Sequence, residues 1–385
     1  MNTIANPGPI TLVEKLRARA AGETAGPTST TLRVPVEVYT DQIRLDQERS
    51  ALFLKRPLII GHETQIPEPG DALVFDWLGL PLITIRDKSG AINTFKNVCR
   101  HRGMRLVQEE GQTCLRSMVC PYHNWTYGLE GELRNIPLSE GFSDLDKSEL
   151  GLVSVSTELR HGLIWLQIDS NSPMNLTEHL AGLGQDLDTF GIGNSHYFAH
   201  SIKKINCNWK LIQDAFLDGY HVVRLHKNTV GPFFPDALSE SDELGDHIRS
   251  AVARNEIFDA IALPKDQLSL RHHATFSYTV FPNSVVICHP DYTSVIGLFP
   301  QSPDETLFTH TMLTANPPTS EKEKAHFQRS FTMIDEGVFE AEDIYVSEGT
   351  QRGLRSGANS HLLFGAFEKT AVDFHQKLNT AIQGG

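Results

Sequence analysis

Cys99 and His101 stand two residues apart and Cys120 and His123 three apart, with eighteen residues between the two groups, inside "NVCRHRGMRLVQEEGQTCLRSMVCPYHNWTYGLEGEL". Two thiolates and two imidazoles suit a tetrahedral zinc site or an iron–sulfur cluster. Zinc modules usually keep like ligands together, as C-x-x-C and H-x-H. Here each group supplies one Cys and one His, which is what a two-iron cluster needs when one iron takes two thiolates and the other two imidazoles. Neutral histidines in place of thiolates raise the reduction potential and leave a titratable nitrogen on each ring.

A second constellation lies in "NCNWKLIQDAFLDGYHVVRLHKN", which supplies Asp218, His221 and His226. Two imidazoles and a carboxylate make the facial triad that holds non-haem Fe(II) and leaves positions open for dioxygen. His221 and His226 are five apart, so on an unbroken helix they would point about 140° away from each other. Joint ligation therefore requires the helix to end or loosen between them, and "RLHKN" before "TVGPFFP" fits such an ending. Further acids occur in "GVFEAEDIYVSEGTQRGLRS", where Glu340, Glu342 and Asp343 are all candidates by position. Phe331, Ile334, Val338, Ala341 and Tyr345 form one apolar stripe of this segment, and Phe339, Asp343 and Val346 form a second. An acid buried on such a helix needs a partner, which a cation at Asp343 supplies.

The elements that must position these groups follow from pattern. A chain of 385 residues, 40% hydrophobic and 21% charged, accommodates two domains with a sizeable core. "VYTDQIRLDQERSALFL" reads as a helix through Ile43, Leu45, Leu52 and Leu54, after a flexible leading segment "AAGETAGPTSTTLRVP". From about Leu58 to Ile168, short β-rich runs separated by "EPGD", "KSGA" and "LEGE" turns mark a small antiparallel β domain that contains the Cys/His loops. Beyond it the pattern gives a helix near 208–224, four strands between about 274 and 314, and a long helix from about 321 to 350. The class is α+β.

Forty-seven acidic against 34 basic residues give a net charge of −13, which argues against nonspecific nucleic-acid binding. Neither a secretory apolar region nor a run of about 18 apolar residues is visible, so no membrane span and a cytoplasmic location are expected. Five cysteines are too few and too clustered for a disulfide framework, and Cys114, Cys207 and Cys288 are expected to be spare buried thiols.

The Cys/His spacing resembles a Rieske [2Fe-2S] domain, and "CPYHNWTYGLEGEL" is similar to that family's second loop. Asn124 stands where the family usually has Gly, and Asn tolerates left-handed backbone better than other non-glycine residues. The eighteen-residue spacer, slightly longer than in relatives, is expected to lengthen only the first loop. Asn208-Trp209-Lys210 followed by Asp218-Gly219-Tyr220-His221 and His226 resembles the catalytic α subunits of Rieske non-haem iron oxygenases, the ring-hydroxylating dioxygenases and related monooxygenases. The family often has Glu-Asn shortly before the aspartate, whereas this chain has Asp214-Ala215.

The resemblance implies an N-terminal all-β Rieske domain at 55–168 and a catalytic domain at 169–385, with residues 1–54 packing against the latter. The catalytic part would be a helix-grip (START-like) antiparallel sheet with a long helix. Cys99, His101, Cys120 and His123 would hold the cluster, and His221, His226 and Asp343 the mononuclear Fe(II). Asp218 would not ligate iron but would bridge His221 to His123 of a neighbour in a cyclic homotrimer, because the two centres of one chain lie far apart in this family. The implied activity uses dioxygen, with electrons from an NAD(P)H-dependent reductase or ferredoxin, to hydroxylate or demethylate an aromatic or other small organic substrate. Leu217, Val222, Phe276, Tyr278, Ile287 and Val295 would line an apolar pocket around the iron, and 228–273 would cover its entrance. The chain length is more like that of α-only members than of subunits paired with a β chain. A Rieske protein that only carries electrons is the competing class, and a demethylase of a quaternary amine is the alternative among enzymes.

Overall fold

A computed structural model describes residues 6–24, 31–169 and 173–384, in two compact units, Phe53–Met174 and Met1–Leu52 with Asn175–Gly385. The smaller unit is a seven-stranded antiparallel sheet in the order Leu58–His62, Leu163–Gln167, Ser154–Arg160, Ile92–Lys96, Leu82–Arg86, Asp71–Phe75 and Gly111–Cys114. A three-stranded sheet, Met118–Val119, Thr126–Tyr127 and Leu133–Asn135, accompanies it. The two share a core that includes Ile83, Ile85, Phe95, Trp125 and Tyr127. The "LEGE" turn depends on Gly131, which has φ +84° and whose added Cβ would meet the Phe95 ring at 2.5 Å. The spacer between His101 and Cys120 does more than lengthen a loop. It builds the edge strand Gly111–Cys114, paired with Asp71–Phe75, and there Cys114 is exposed rather than buried. Cys207 and Cys288 are buried as expected.

In the larger unit seven antiparallel strands run in the order His196–Ile205, Glu305–Thr314, Tyr292–Ser302, Ser284–Cys288, Ala274–Val280, His247–Ala253 and Ser239–Leu244. The four strands expected between 274 and 314 are present. The segment 228–273 was expected as a cover; instead it contributes two strands of the sheet itself, Ser239–Leu244 and His247–Ala253. Their serines and charged residues hide a strand pattern because one face is polar. The helix Ile10–Ala20 was also not foreseen, and part of the leading segment (25–30) lies outside the described residues. The "VYTDQIRLDQERSALFL" region is helical in three short pieces, Glu37–Thr40, Gln42–Glu48 and Arg49–Phe53, with Leu45 and Leu52 buried but Ile43 exposed.

One continuous helix lies on the sheet. It starts at Glu321 under a capping box between Ser320 and Glu323, widens to π geometry over Met333–Ile344, and returns to α geometry over Tyr345–Leu354. Its buried positions, Ile334/Asp335, Val338/Phe339, Asp343/Ile344 and Ser347, step by four, then five, then four. The wide turn therefore sends Ala341 and Tyr345, expected in an apolar stripe, to the exposed side.

The start of the π segment is fastened by a buried polar cluster. His310 Nδ1 lies 2.8 Å from Asp335 Oδ1, and Nε2 lies 3.0 Å from Ser294 Oγ. Ser201 Oγ donates to Asp335 Oδ1 at 2.6 Å, and Lys203 Nζ lies 3.0 Å from Oδ2. Burial opposes ionisation of Asp335, but the bonds from His310, Ser201 and Lys203 prevail and hold its pKa at about 2. His310 is fully buried, and burial keeps its pKa below the usual 6.5 although Asp335 opposes the shift. With Asp335 ionised and His310 neutral, Nδ1–H donates to the carboxylate and Nε2 accepts from Ser294.

The sign of the pH dependence follows from these shifts. The unfolded chain binds the His310 proton near pH 6.5 and the folded chain only at lower pH, so this contribution is full above 6.5 and is lost as pH falls. The slope for such a group is at most about 1.4 kcal/mol per pH unit. We expect His310→Gln to be less stable at pH 7.5 yet to lose less on going to pH 5.5 than the wild type, as read from urea midpoints; equal losses in both proteins would refute the assignment.

Candidate metal centres

In the β unit, two loops present the Cys/His pairs. The first closes through Cys99 N to Met104 O (2.8 Å) and Gly103 N to Cys99 O (3.0 Å). The second closes through Cys120 N to Trp125 O (2.8 Å) and Asn124 N to Cys120 O (2.9 Å). Asn124 has φ +57°, so the position where glycine is usual does require left-handed backbone, and Asn adopts it. Cys99 and Cys120 are buried, and the rings of His101 and His123 lie 4.7 Å apart between centroids. His101 stacks on Trp125 at 4.8 Å, which fixes its plane. Burial raises the Cys99 thiol, and His123 Nδ1 is buried without a hydrogen-bond partner among the described residues. Buried sulfur and an unpaired ring nitrogen are stabilised when a cation takes the place of the missing partners, so the donor set fits a two-iron cluster with mixed ligation. Tyr127 was not singled out by sequence: its hydroxyl lies 3.4 Å from Cys99 Sγ and accepts from Arg100 N at 2.9 Å.

In the catalytic unit the helix expected over 208–224 stops at Phe216 and resumes only over Val222–Leu225, with His221 and His226 at its two ends. That break precedes His221; between the histidines the chain makes one helical turn, which ends at His226 (φ −88°, ψ +24°), the ending expected at "RLHKN". His221 Nε2 and His226 Nε2 lie 3.2 Å apart, and Asp343 Oδ1 is 3.6 and 3.4 Å from them, respectively. The three atoms thus converge within one ligand sphere. On the far side of each ring stands another carboxylate: Asp218 Oδ2 at 3.4 Å from His221 Nδ1, and Glu342 Oε2 at 2.7 Å from His226 Nδ1. Glu342 places the His226 ring proton on Nδ1, and Asp218, which faces His221 Nδ1 without a well-aligned hydrogen bond, favours the same tautomer electrostatically, so both Nε2 lone pairs face each other and an acid.

Asp343 is buried, and its Oδ1 has no hydrogen-bond partner among the described residues. Burial raises its pKa, with both histidines opposing. Burial alone would lower His221, but Asp218 and Asp343 overcome this and raise it. Both shifts describe groups that retain protons until a cation takes their place, and the residues fit a mononuclear iron with two nitrogen ligands and one oxygen ligand.

Asp214 turns away from this centre. It accepts from Tyr39 Oη at 2.6 Å and lies 3.0 Å from His375 Nε2, so it ties the N-terminal segment to the C-terminal helix Lys369–Gln383. Of the six residues expected around the pocket, register places Ile287 opposite Ser294 on the face that meets the long helix. Leu217 is buried at the turn before His221, and Val222 is half-buried immediately after it. Phe276, Tyr278 and Val295 must be corrected to the other face, because strand side chains alternate and these three share the register of Val286. There Phe276 packs on Phe190 at 5.2 Å and the Tyr278 hydroxyl donates to Asp186 at 2.9 Å. A cavity of about 530 Å³ adjoins the Phe216–Gly219 turn, and its sheet floor carries Ser239, Ser241, Ser250 and Ser277 interleaved with Ile248 and Val252.

Comparison with known proteins agrees with both centres. Residues 56–148 match the Rieske [2Fe-2S] domain, and residues 187–384 match the ring hydroxylating alpha subunit (catalytic domain). The chain is 27% identical over 368 residues to the biphenyl 2,3-dioxygenase subunit alpha of Rhodococcus jostii (strain RHA1), covering 81% of this chain and 75% of that one. It is 25% identical over 331 residues to the carnitine monooxygenase oxygenase subunit of Escherichia coli (strain K12), covering 84% of each. Among solved structures, the quaternary ammonium Rieske monooxygenase CntA superposes with a TM-score of 0.78 at 20% identity, over 97% of this chain and 98% of that one. Naphthalene 1,2-dioxygenase from Rhodococcus sp. superposes with a TM-score of 0.76 at 20% identity, over 96% and 97%. Among the described residues no helix is long and apolar enough to cross a membrane. A Rieske domain followed by a catalytic domain that carries a mononuclear iron excludes a mere electron carrier: the chain belongs to the ring-hydroxylating α-subunit family and is a Rieske non-haem iron oxygenase, the terminal component that works with a separate reductase or ferredoxin.

Proposed function

We propose that Cys99, His101, Cys120 and His123 hold the [2Fe-2S] cluster and that His221, His226 and Asp343 hold the catalytic iron. The observation that carries the second assignment is the convergence of two Nε2 atoms and a buried, unpartnered Asp343 Oδ1. When bound, the metals supply electron storage and dioxygen activation. The protein's own part is to present Nε2 rather than Nδ1, to keep Asp343 out of water, and to hold the substrate near the ligands. Asp218 acts as a bridging residue: Oδ1 accepts from Tyr220 N at 2.5 Å, which leaves Oδ2 directed at His221. In a cyclic homotrimer the same carboxylate would meet His123 of the next copy, with an NAD(P)H-dependent reductase as the ultimate electron source and the cytoplasm as the location.

The reaction we assign is hydroxylation or oxidative demethylation of a small organic molecule. Relatives act on biphenyl and on carnitine, and the cavity beside Leu217 combines Phe216, Ile248 and Val252 with serine hydroxyls. Five carboxylates, Asp218 and Glu243 among them, and the basic Arg19 and Lys369 also line it, so the cavity favours a guest with a polar or cationic group over the apolar or aromatic guest expected from the strand residues. Reductase-driven dioxygen uptake with labelled dioxygen, over a panel of aromatic compounds and quaternary amines, tests this; uptake without label in any organic product would contradict it.

Two measurements bear on the residues. Anaerobically purified, iron-supplemented protein should contain about three irons per two acid-labile sulfides, falling to about two in a His221→Ala, His226→Ala double variant; equal iron in both proteins would place the second metal elsewhere. Asp218→Ala should keep both metals and lose turnover, and unchanged turnover would remove the bridge.

A further inference from the structure

His226 is gripped at both ends by consecutive residues of the wide helix. Asp343 Oδ1 faces its Nε2 at 3.4 Å, while Glu342 Oε2 faces its Nδ1 at 2.7 Å. The same Oε2 accepts from Thr229 Oγ1 at 2.7 Å, so two donors fix one carboxylate oxygen. The chain around the ring is equally constrained. Gly231 N donates to His226 O at 2.8 Å, and a Cβ on Gly231 would come within 2.7 Å of that oxygen. The Glu342 side chain is only 16% exposed, so water screens its charge weakly.

From this geometry we infer that Glu342 is the positioning residue of the iron site, setting the tautomer and orientation of His226. The inference rests on the reading of His226 as an iron ligand. Glu342 is not itself a ligand, because its carboxylate oxygen is directed at the nitrogen remote from Asp343. By accepting Nδ1–H it leaves the Nε2 lone pair free, turns that pair toward Asp343, and increases the basicity of the ring. Asp218 stands in the corresponding place behind His221, but at 3.4 Å rather than 2.7 Å. The two histidines are therefore held unequally: His226 is the fixed anchor, and His221 retains freedom to respond to Asp218. Nothing in the sequence separates these roles, since Glu342 is one of three neighbouring acids.

The test uses protein with its cluster intact and oxidised, hence without an EPR signal, and with the mononuclear site emptied. Co(II) is added anaerobically, its affinity measured by equilibrium dialysis and its environment by EPR. Wild type should bind one Co(II) per chain beyond the cluster, and His226→Ala should not. If wild type binds none, or His226→Ala binds as well as wild type, the ligand assignment fails and the inference falls with it. Given that assignment, loss of an outer hydrogen-bond partner typically weakens metal binding by about 10- to 100-fold, the range expected for Glu342→Ala, with a changed EPR line shape. Glu342→Gln keeps the shape and one acceptor oxygen but not the charge, and should fall between wild type and Glu342→Ala by at least about threefold. Should Glu342→Ala not fold, Glu342→Gln decides alone. Affinities within twofold of wild type, or weaker binding with an unchanged EPR line shape, would reduce Glu342 to packing and overturn the proposal.

Discussion

Three electron-pair donors directed at one point, with no proton or cation required by any neighbouring side chain, form the constraint around which the catalytic unit is arranged. Two neutral imidazoles and a buried carboxylate repel one another in a medium that cannot screen them. Their approach to 3.2–3.6 Å is stable only with positive charge among them, as protons or as a metal ion. The carboxylates behind the rings intensify this demand, because they hold the ring protons on Nδ1, Glu342 by a hydrogen bond and Asp218 by its charge, and so leave both Nε2 atoms bare.

Rigid surroundings oppose that repulsion. Beyond the π segment, Glu348 accepts from Asn206 N at 2.8 Å and Gln351 accepts from Asn208 N at 3.0 Å. At its start, Asp335 is fastened to His310, Ser201 and Lys203. The wide turns are thus pinned at both ends, and Asp343 lies between the pins. The opposite wall is the helix Trp209–Phe216, held by the fully buried pair Lys210 and Glu48 at 2.7 Å and by Trp209 Nε1 to Glu48 at 3.0 Å. A buried ion pair of this kind contributes orientation more than stability. Phe339 then packs between Phe216, Phe308 and His310 at centroid distances of 5.1–5.8 Å, which joins both walls to the sheet.

The parts legible in the sequence were those with a local signature. Alternating apolar runs gave the β unit and the four central strands, and the helix end at His226 followed from the angle between two histidines, whereas the break before His221 had no such signal. The rest depended on contacts made across long sequence distances. The strands at 239–253 carry serines and acids on one face, so only pairing in the sheet identifies them. Phe276, Tyr278 and Val295 read as pocket residues because aromaticity and strand membership are visible in a sequence, whereas the facing direction depends on register. Ala341 and Tyr345 fell out of the expected stripe because a π turn changes the period within one helix. Cys114 became exposed because the spacer spent its extra residues on an edge strand. Glu342 and Asp343 are adjacent acids whose roles differ only in which ring nitrogen each faces, a distinction that no pattern of residue types contains.

The most direct measurement is an anomalous-difference map recorded at the iron edge from crystals of the iron-loaded protein. The proposed ligand set predicts a single-metal peak within bonding distance of His221 Nε2, His226 Nε2 and Asp343 Oδ1, and a separate two-iron peak among Cys99, His101, Cys120 and His123. A two-iron peak alone, or a mononuclear iron bound by Glu342 in place of Asp343, would contradict it.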